Sequence, residues 1–311
     1  MPAESASRAN GKTSPIVVTT DFSDSSRAAF AAAGAFARAT SKPLDVVHVA
    51  RRKPPGLAPW ADLVRHEVPE RFFQDVQSKL DALVQNEPAF SGLGASATCK
   101  LGVPVDELAQ HVRNVDAHLL VMASHGHSPI REFFLGSLPE KLVRLAPCPV
   151  LTVDVPSESL RVPPRRILVA HSFTGDGFAA FRWAADYAKL FRASLRVVSV
   201  VPGDLLLYND PGAKHAFHLG LAELKNSLQR QLNKLADDWS GTPFSSVVRQ
   251  GNTAAEILAD AATWKPDIIV VGRQDLRAQT DFRLGSVAER ILRRAPTAVL
   301  CASGPHEQGG S

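Results

Sequence analysis

The sequence predicts an α/β protein built from two doubly wound parallel-sheet domains in one chain of 311 residues. Three observations lead to this prediction. The length suits two domains of about 150 residues each. Short β-branched runs alternate with longer segments of helical periodicity, which is the pattern of β-α-β units in a parallel sheet. The second half of the chain also repeats the first, so the same fold is expected twice.

The repeat is clearest toward the end of each half. The segment KLGVPVDELAQ in the first half aligns without a gap with RQGNTAAEILA in the second, and the alignment continues to the last strand of each half. The matched pairs include Gly136 with Gly285 and Ser137 with Ser286. The beginnings also match, PIVVTTDFSDSS with RILVAHSFTGDG.

Between the halves lies DVPSESLRVPPRR, whose prolines, serines and charges are typical of a linker. We therefore divide the chain into five parts. These are a disordered tail at residues 1–13, a first domain at 14–155, a linker at 156–164, a second domain at 165–303, and a second tail at 304–311.

The same alternation predicts each element of the first half in turn. Strands are expected near residues 16–20, 44–50, 95–101, 118–123 and 149–153. Helices are expected near 25–40, 66–85, 105–115 and 137–145. The second half begins the same series with a strand at 167–171, a helix to 191, a strand at 194–201 and a long helix to about 238. Each sheet is then covered by helices on both faces.

Net charge, cysteine spacing and hydropathy argue against several classes of partner and compartment. The net charge is only +4 and the densest basic run is RRK, a weak footprint for nucleic acid, which we do not expect as a partner. The three cysteines lie far apart with no C-x-x-C pair, so a reducing cytoplasm is the simplest compartment. No apolar run approaches the roughly 18 residues that cross a bilayer, so no membrane is expected.

Ligands of such sheets bind beyond the carboxyl ends of the strands, where the strand order reverses. Asp21 follows the first strand, in VVTTDFSDSS. Its carboxylate can accept hydrogen bonds from a sugar or base, or help to hold a metal. Alternatively, Asp21 and Ser23 make a turn and cap the next helix. The sequence leaves both interpretations open.

The segment ASHGHSPIREFFLGS follows the fourth strand. Gly126 can let the backbone approach a ligand, and Gly136 with Ser137 puts bare amides and a hydroxyl at a helix N-terminus, which favours phosphate. As an alternative, Ser137 and Glu140 fit a capping box, and so do their counterparts in the second half. The two interpretations can coexist, because backbone amides would remain for a phosphate.

This order of residues, G-x2-G-x9-G-[S/T] followed by a helix and APCPVL, resembles the nucleotide-binding signature and last strand of the universal stress protein family. The opening IVVTTDFSDSS and the strand VVHVA agree with it, and the resemblance covers nearly all of both halves. It implies Rossmann-like domains with strand order 3-2-1-4-5, domain pairing through the fifth strands and, in one branch of the family, ATP binding.

Carried over residue by residue, the resemblance places the nucleotide in the first half. Asp21 and Val49 would surround the adenosine, Ala123, Ser124 and Gly126 would follow the ribose and phosphates, and Gly136 with Ser137 would lie at the phosphates. Ala123 stands where the signature has its first glycine. A strand end tolerates this methyl group unless the ligand passes directly over it.

The second half departs further from the signature. Ser172 replaces Asp21, and Asp275 replaces Gly126. A carboxylate facing a triphosphate costs about 1 kcal/mol or more at short range unless a neighbour such as Arg273 offsets it. We therefore expect a weaker or vestigial second site, and a second half that serves mainly as a built-in dimer partner. The signature positions kept there are Gly272, Gly285 and Ser286.

Metal and catalytic sites have little support in the sequence. His125 with His127, and His215 with His218, are spaced as zinc ligands could be, but no third ligand is specified by spacing, so zinc is not expected and no metal ligand is assigned. There is no G-x-S-x-G elbow or Walker A sequence, so we assign no catalytic residue.

Together with the resemblance, these observations lead us to expect a cytoplasmic tandem universal stress protein. It would bind ATP, with or without Mg²⁺, in its first domain and act in the stress response through unidentified protein partners. Two alternatives stay open, a weak ATPase and a nucleotide-free scaffold that presents a protein-binding surface. Whether the chain also forms a homodimer is open as well.

Overall fold

The computed structural model describes residues 14–51, 70–124, 137–153, 160–202, 211–237, 242–273 and 286–302. Within these ranges, strands and α-helices alternate along the chain as the sequence predicts.

The first half contains five strands and four α-helices in the described ranges. They are β1 (Ile16–Thr19), α1 (Ser26–Thr40), β2 (Leu44–Arg51), α2 (Glu70–Asn86), β3 (Ser96–Gly102), α3 (Pro104–Asn114), β4 (Leu119–Ala123), α4 (Ser137–Leu145) and β5 (Val150–Val153). A short 3-10 helix at Pro88–Phe90 was not predicted, and the Glu87 carboxylate caps it by accepting from the Ala89 N–H at 3.2 Å.

The second half repeats this series. Its elements are β6 (Arg166–Ala170), α5 (Gly175–Phe191), β7 (Ser194–Pro202), α6 (Pro211–Asp237), β8 (Phe244–Gly251), α7 (Thr253–Trp264), β9 (Ile268–Gly272), α8 (Ser286–Arg294) and β10 (Ala298–Ala302).

The strands form one sheet in the order β3-β2-β1-β4-β5-β10-β9-β6-β7-β8. Each half therefore has the order 3-2-1-4-5, which confirms the predicted fold. All neighbours are parallel except β5 and β10, which pair antiparallel with Leu151 opposite Leu300. Since these two leucines occupy equivalent positions in the repeat, the centre of this pairing relates the halves by an approximate two-fold axis.

The sheet is buried on both faces, which explains the continuous apolar runs of its central strands. Along β1, Ile16 and Val18 face a core layer beneath α1, whereas Val17 faces the opposite layer beneath α3 and α4. Both layers contain residues of both halves, so each continues across the junction.

Aromatic side chains of α1 and α5 also join the two halves. The Phe36 ring lies 4.8 Å from the Tyr187 ring, and Trp183 stacks on Tyr187 at 4.1 Å. His118, just before β4, contacts the Tyr187 hydroxyl through Nε2 at 2.6 Å. Each aromatic ring pair of this kind stabilises the fold by about 0.5–1.5 kcal/mol beyond the energy gained by burying its surface.

The predicted linker is described only from Leu160 onward, and there Leu160 and Val162 pack against the core. The domain boundaries stay predictions. Within the described ranges, no helix is both long and apolar enough to cross a membrane. Cys99, Cys148 and Cys301 are free thiols.

Candidate functional site

The fold brings two of the predicted site segments together. In the first half the chain leaves β1 toward β2 on one side and later returns to β4 on the other, so the strand order reverses between β1 and β4. Val18 of β1 pairs with Val121 of β4. Asp21 and Ser124 therefore follow neighbouring strands at the same edge of the sheet, where ligands of such sheets bind.

The Asp21 carboxylate organises the connection from β1 to α1. Its Oδ1 atom accepts hydrogen bonds from the Ser23 N–H at 3.0 Å, from the Ser23 hydroxyl, and from the hydroxyl of Ser26, the first residue of α1, at 3.0 Å. These bonds confirm the predicted turn, whereas the N-cap residue of α1 is Ser25 and makes no side-chain capping bond. A contact with a ligand stays a prediction for the same carboxylate, which these bonds hold in a fixed orientation.

An aromatic pair lies beside Asp21. Phe22 adopts a left-handed backbone with φ 64°, uncommon for a bulky residue, and its ring lies 4.4 Å from the His48 ring. The Lys79 ammonium lies 4.5 Å above the Phe22 ring. The His48 Nδ1 atom donates to the Thr20 carbonyl at 2.8 Å. These contacts form a wall that the sequence analysis missed.

Burial lowers the pKa of His48, although the Thr20 carbonyl and the Asp21 carboxylate favour the protonated ring. The imidazole is therefore neutral near pH 7, with its proton on Nδ1. The alternation of VVHVA could have revealed this side chain, because His48 shares a face of β2 with Val46.

Val49 contributes its backbone to the edge, because its side chain is buried in the core layer with Leu108 and Met122. Among the described residues, the last backbone–backbone hydrogen bond between β2 and the β1 segment runs from the Thr20 N–H to the Val47 carbonyl, at 3.0 Å. Residues two apart in a strand direct their backbone groups to the same side. The N–H and C=O of Val49 therefore point past the end of β1.

Ser124 ties the end of β4 to β5. It is buried, and both its N–H (3.0 Å) and its hydroxyl (3.3 Å) donate to the Val153 carbonyl. Gly126 and Gly136 lie outside the described residues, as does the side chain of Ser137, whose backbone begins α4. The predicted phosphate end of the site is described only through that helix start.

At the corresponding edge of the second half, α5 packs closely against the end of β9. A Cβ atom added to Gly272 would lie 2.8 Å from the backbone oxygen of Asp176, in the first turn of α5. Gly272 is thus the residue that lets α5 approach the end of β9. Its counterpart Ala123 carries that methyl group, and α1 begins later along the chain, at Ser26. Residues 20–25 precede α1, whereas residues 171–174 precede α5.

The rest of this second edge is also tightly packed. A Cβ atom on Gly177 would lie 2.7 Å from the Ser172 nitrogen. His171 is buried against Phe173 and Phe178, with its Nδ1 atom donating to the Gly177 carbonyl at 3.0 Å. Of the other kept signature positions, Ser286 begins α8 and is exposed, and Gly285 lies outside the described residues.

Comparison with known proteins decides the family. The model of the universal stress protein family matches twice, over residues 12–154 and 164–303. The chain belongs to the universal stress protein family. It is 26% identical over 297 residues to universal stress protein Rv2005c of Mycobacterium tuberculosis, which covers 92% of this chain and 96% of that protein.

A solved structure agrees with the fold. A universal stress protein from Archaeoglobus fulgidus superimposes with a TM-score of 0.64 at 19% identity, covering 93% of this chain and 98% of that chain. Another universal stress protein, described in complex with cAMP, is 26% identical with a TM-score of 0.35, covering 46% of this chain and 97% of that chain.

In this universal stress protein the glutamates of the two predicted capping boxes make ion pairs. Glu140 pairs with Arg144 at 2.6 Å and, across the junction, with Arg293 of α8 at 3.1 Å. Glu289 pairs with the same Arg293 at 3.1 Å. Both carboxylates therefore bind arginine side chains that lie along α4 and α8, which weakens the capping-box interpretation.

Arg273 binds the first half of the chain. Its Nη1 atom donates to the Val143 carbonyl at 2.8 Å and to the Ala146 carbonyl at 2.6 Å, at the C-terminal end of α4. A cation is favourable there because the last carbonyls of a helix lack intrahelical partners. Arg273 thus links the end of β9 to the helix whose N-terminus carries the predicted phosphate site. Asp275 lies outside the described residues.

Within the described ranges, no group of three or more His, Cys, Asp or Glu side chains could hold a metal ion. The side chains of His125, His127, His215 and His218 are not among those described.

Proposed function

We propose that this universal stress protein binds ATP at the edge between β1 and β4 of its first half, and that the second half binds it weakly or not at all. The observation that carries the proposal is the difference between the two edges. In the second half the backbone of Asp176, in the first turn of α5, lies against Gly272. In the first half the connection from β1 to α1 is two residues longer, with residues 20–25 before α1 instead of 171–174 before α5.

The groups at the edge between β1 and β4 suit an adenine nucleoside. The Val49 backbone offers a donor and an acceptor side by side, as a flat base with hydrogen-bonding edges requires. The Phe22 and His48 rings supply an apolar wall. The Asp21 carboxylate is an acceptor for ribose hydroxyls. The resemblance adds Ala123, Ser124 and Gly126 along the ribose and phosphates.

The phosphates would lie at the N-terminus of α4, at Gly136 and Ser137, because exposed amides and the helix dipole favour anions there. Mg²⁺ would enter with the triphosphate, since this ion usually binds through substrate phosphates, water and one or two carboxylates. Asp21 is the carboxylate that the first edge offers. The weaker second site would consist of Gly272, Gly285 and Ser286.

Matched substitutions at equivalent positions test the proposal. Asp21→Ala should weaken ATP binding about tenfold or more, because it removes a charged acceptor worth about 1.5–3 kcal/mol. Ser172→Ala, the counterpart in the second half, should leave the affinity unchanged. Isothermal titration calorimetry with Mg-ATP compares them, and circular dichroism checks folding. Equal losses in both variants would contradict the proposed location.

Family membership supports a role in the stress response, and the three free thiols support a reducing compartment such as the cytoplasm. We propose both together with the nucleotide site. Comparing survival of a deletion strain complemented with wild type or Asp21→Ala under growth arrest and oxidative stress would test whether the role needs the nucleotide.

A further inference from the structure

The sheet ends in two outer strands, β3 and β8. An outer strand presents backbone N–H and C=O groups that another strand can bind, which is how sheets extend from one molecule to the next. This molecule already joins its halves by antiparallel pairing of β5 with β10. A second copy of the chain would bring the same kinds of outer strand, so each copy has two edges at which such growth could begin.

The register shows which groups of β3 face outward. Since Val47 bonds toward β1, its neighbours Val46 and His48 bond toward β3. Ala97 lies opposite Val46, and Cys99 lies opposite His48. In a pair of parallel strands, only one of two opposite residues directs its N–H and C=O at the partner strand. The other residue directs its own N–H and C=O away from that strand. The backbone groups of Ala97 and Cys99 therefore point out of the sheet.

A glutamine of α2 binds these outward groups. The Gln77 Oε1 atom accepts from the Cys99 N–H at 3.1 Å, and its Nε2 atom donates to the Ala97 carbonyl at 3.2 Å. The side-chain amide thus makes the two bonds that the N–H and C=O of one residue in an added parallel strand would make. Its Nε2 atom also donates to Asp81 at 2.8 Å, one turn along α2, which holds the amide in place.

The second half repeats the arrangement with different partners. The Gln229 Oε1 atom of α6 accepts from the outward N–H of Val248, the counterpart of Cys99, at 3.2 Å. Its Nε2 atom donates to the Ser246 hydroxyl at 2.7 Å and to Asn233 at 3.0 Å. Two helices of different length therefore place a glutamine amide over the same point of each outer strand.

We propose that Gln77 and Gln229 close the two edges of the sheet against strand addition by a second copy of this chain. Each amide occupies the central outward N–H of its strand, so an incoming strand would have to displace it before pairing. This role is independent of nucleotide binding.

Methionine substitutions remove the amides while keeping a side chain of similar length over the strand. Gln77→Met or Gln229→Met opens only one edge of each chain. Two chains can pair through that edge, and the assembly then stops at a dimer. The double variant opens both edges and allows longer assemblies. Sedimentation velocity over a hundredfold range of concentration should show a weight-average coefficient that rises more steeply than that of wild type, most of all for the double variant.

Gln110→Met is the matched control. Gln110 makes a similar contact one turn along its helix, to Asn114 at 2.7 Å, and its side-chain hydrogen bonds in the described part of the chain are all with residues of α3. It should sediment as wild type does. A double variant that has the wild-type circular dichroism spectrum and the wild-type sedimentation at every concentration would overturn the proposal.

A labelled peptide of residues 96–102 gives a second measurement at nanomolar protein, where a poorly soluble variant can still be studied. With reductant present, its fluorescence anisotropy should rise with the double variant and stay constant with wild type and Gln110→Met. Equal binding to all three proteins, or to none, would count against closure by the glutamines.

Discussion

At the scale of single residues, the two halves bury a carboxylate with a basic side chain at the same place, with the two positions exchanged. In the first half, Asp45 of β2 contacts His111 of α3 at 2.7 Å. In the second half, the position of Asp45 holds Arg196 and that of His111 holds Asp260, whose carboxylate binds Arg196 and Arg249 at 2.6 Å each. Exchange of the two positions keeps each buried carboxylate hydrogen-bonded, which a change of one residue alone would not.

Burial would raise the pKa of Asp45, but hydrogen bonds from His111, Thr98 and Ser96 lower it below the ordinary value of 3.8. Asp45→Asn should therefore lower the free energy of unfolding by about 1–3 kcal/mol at pH 7. Because the folded-state pKa is depressed, the wild-type advantage is complete above the unfolded value. It should shrink as the pH falls below about 4.

Urea unfolding of both proteins at pH 7 and at pH 3.5 measures this difference. An advantage that is the same at both pH values would contradict the assignment of the stabilisation to the Asp45 carboxylate.

At the scale of elements, the alternation of strands and helices could be predicted because a sheet buried on both faces requires continuous apolar strands such as IVV and LLVM. The side-chain partners could not be predicted as well. The S-x-x-E pattern indicated local capping, but Glu140 pairs with Arg293 from the other half of the chain. The sequence predicted the strand that contains Val49. It did not show that the Val49 backbone extends past the end of β1, because that depends on where β1 ends.

Arg273 allows a test at this scale. Arg273→Ala removes the hydrogen bonds to the last carbonyls of α4, so we expect a loss of about 1–3 kcal/mol in unfolding free energy and faster hydrogen exchange in α4. Arg294→Ala, an exposed arginine of α8, is the control and should change stability by less than about 0.5 kcal/mol. Equal exchange of α4 in both variants would argue against the link.

At the scale of the whole molecule, one sheet and two continuous core layers should make the halves unfold together. Three partly or fully buried histidines, His48, His118 and His171, make that stability depend on pH. Burial lowers the pKa of each below 6.5. The unfolded chain therefore takes up protons that the folded chain excludes, and stability should fall as the pH drops below about 6.5.

Urea unfolding between pH 7.5 and 5 checks this slope. His171→Phe keeps a ring among the neighbouring phenylalanines and removes one titrating group, so its stability should fall less steeply than that of wild type. A variant that is as steep as wild type would exclude His171 as a source of the slope.

The central claim concerns the asymmetry of two halves that share one fold. Its most direct test is the amount of adenine nucleotide bound per chain, measured by calorimetry with Mg-ATP and by mass spectrometry of nucleotide released from purified protein. We expect about one per chain, because the second half has Ser172 in place of Asp21 and packs Asp176 against Gly272, whereas the first half keeps the carboxylate and a longer connection to α1. Two equal sites per chain, or no binding at millimolar ATP, would contradict this account.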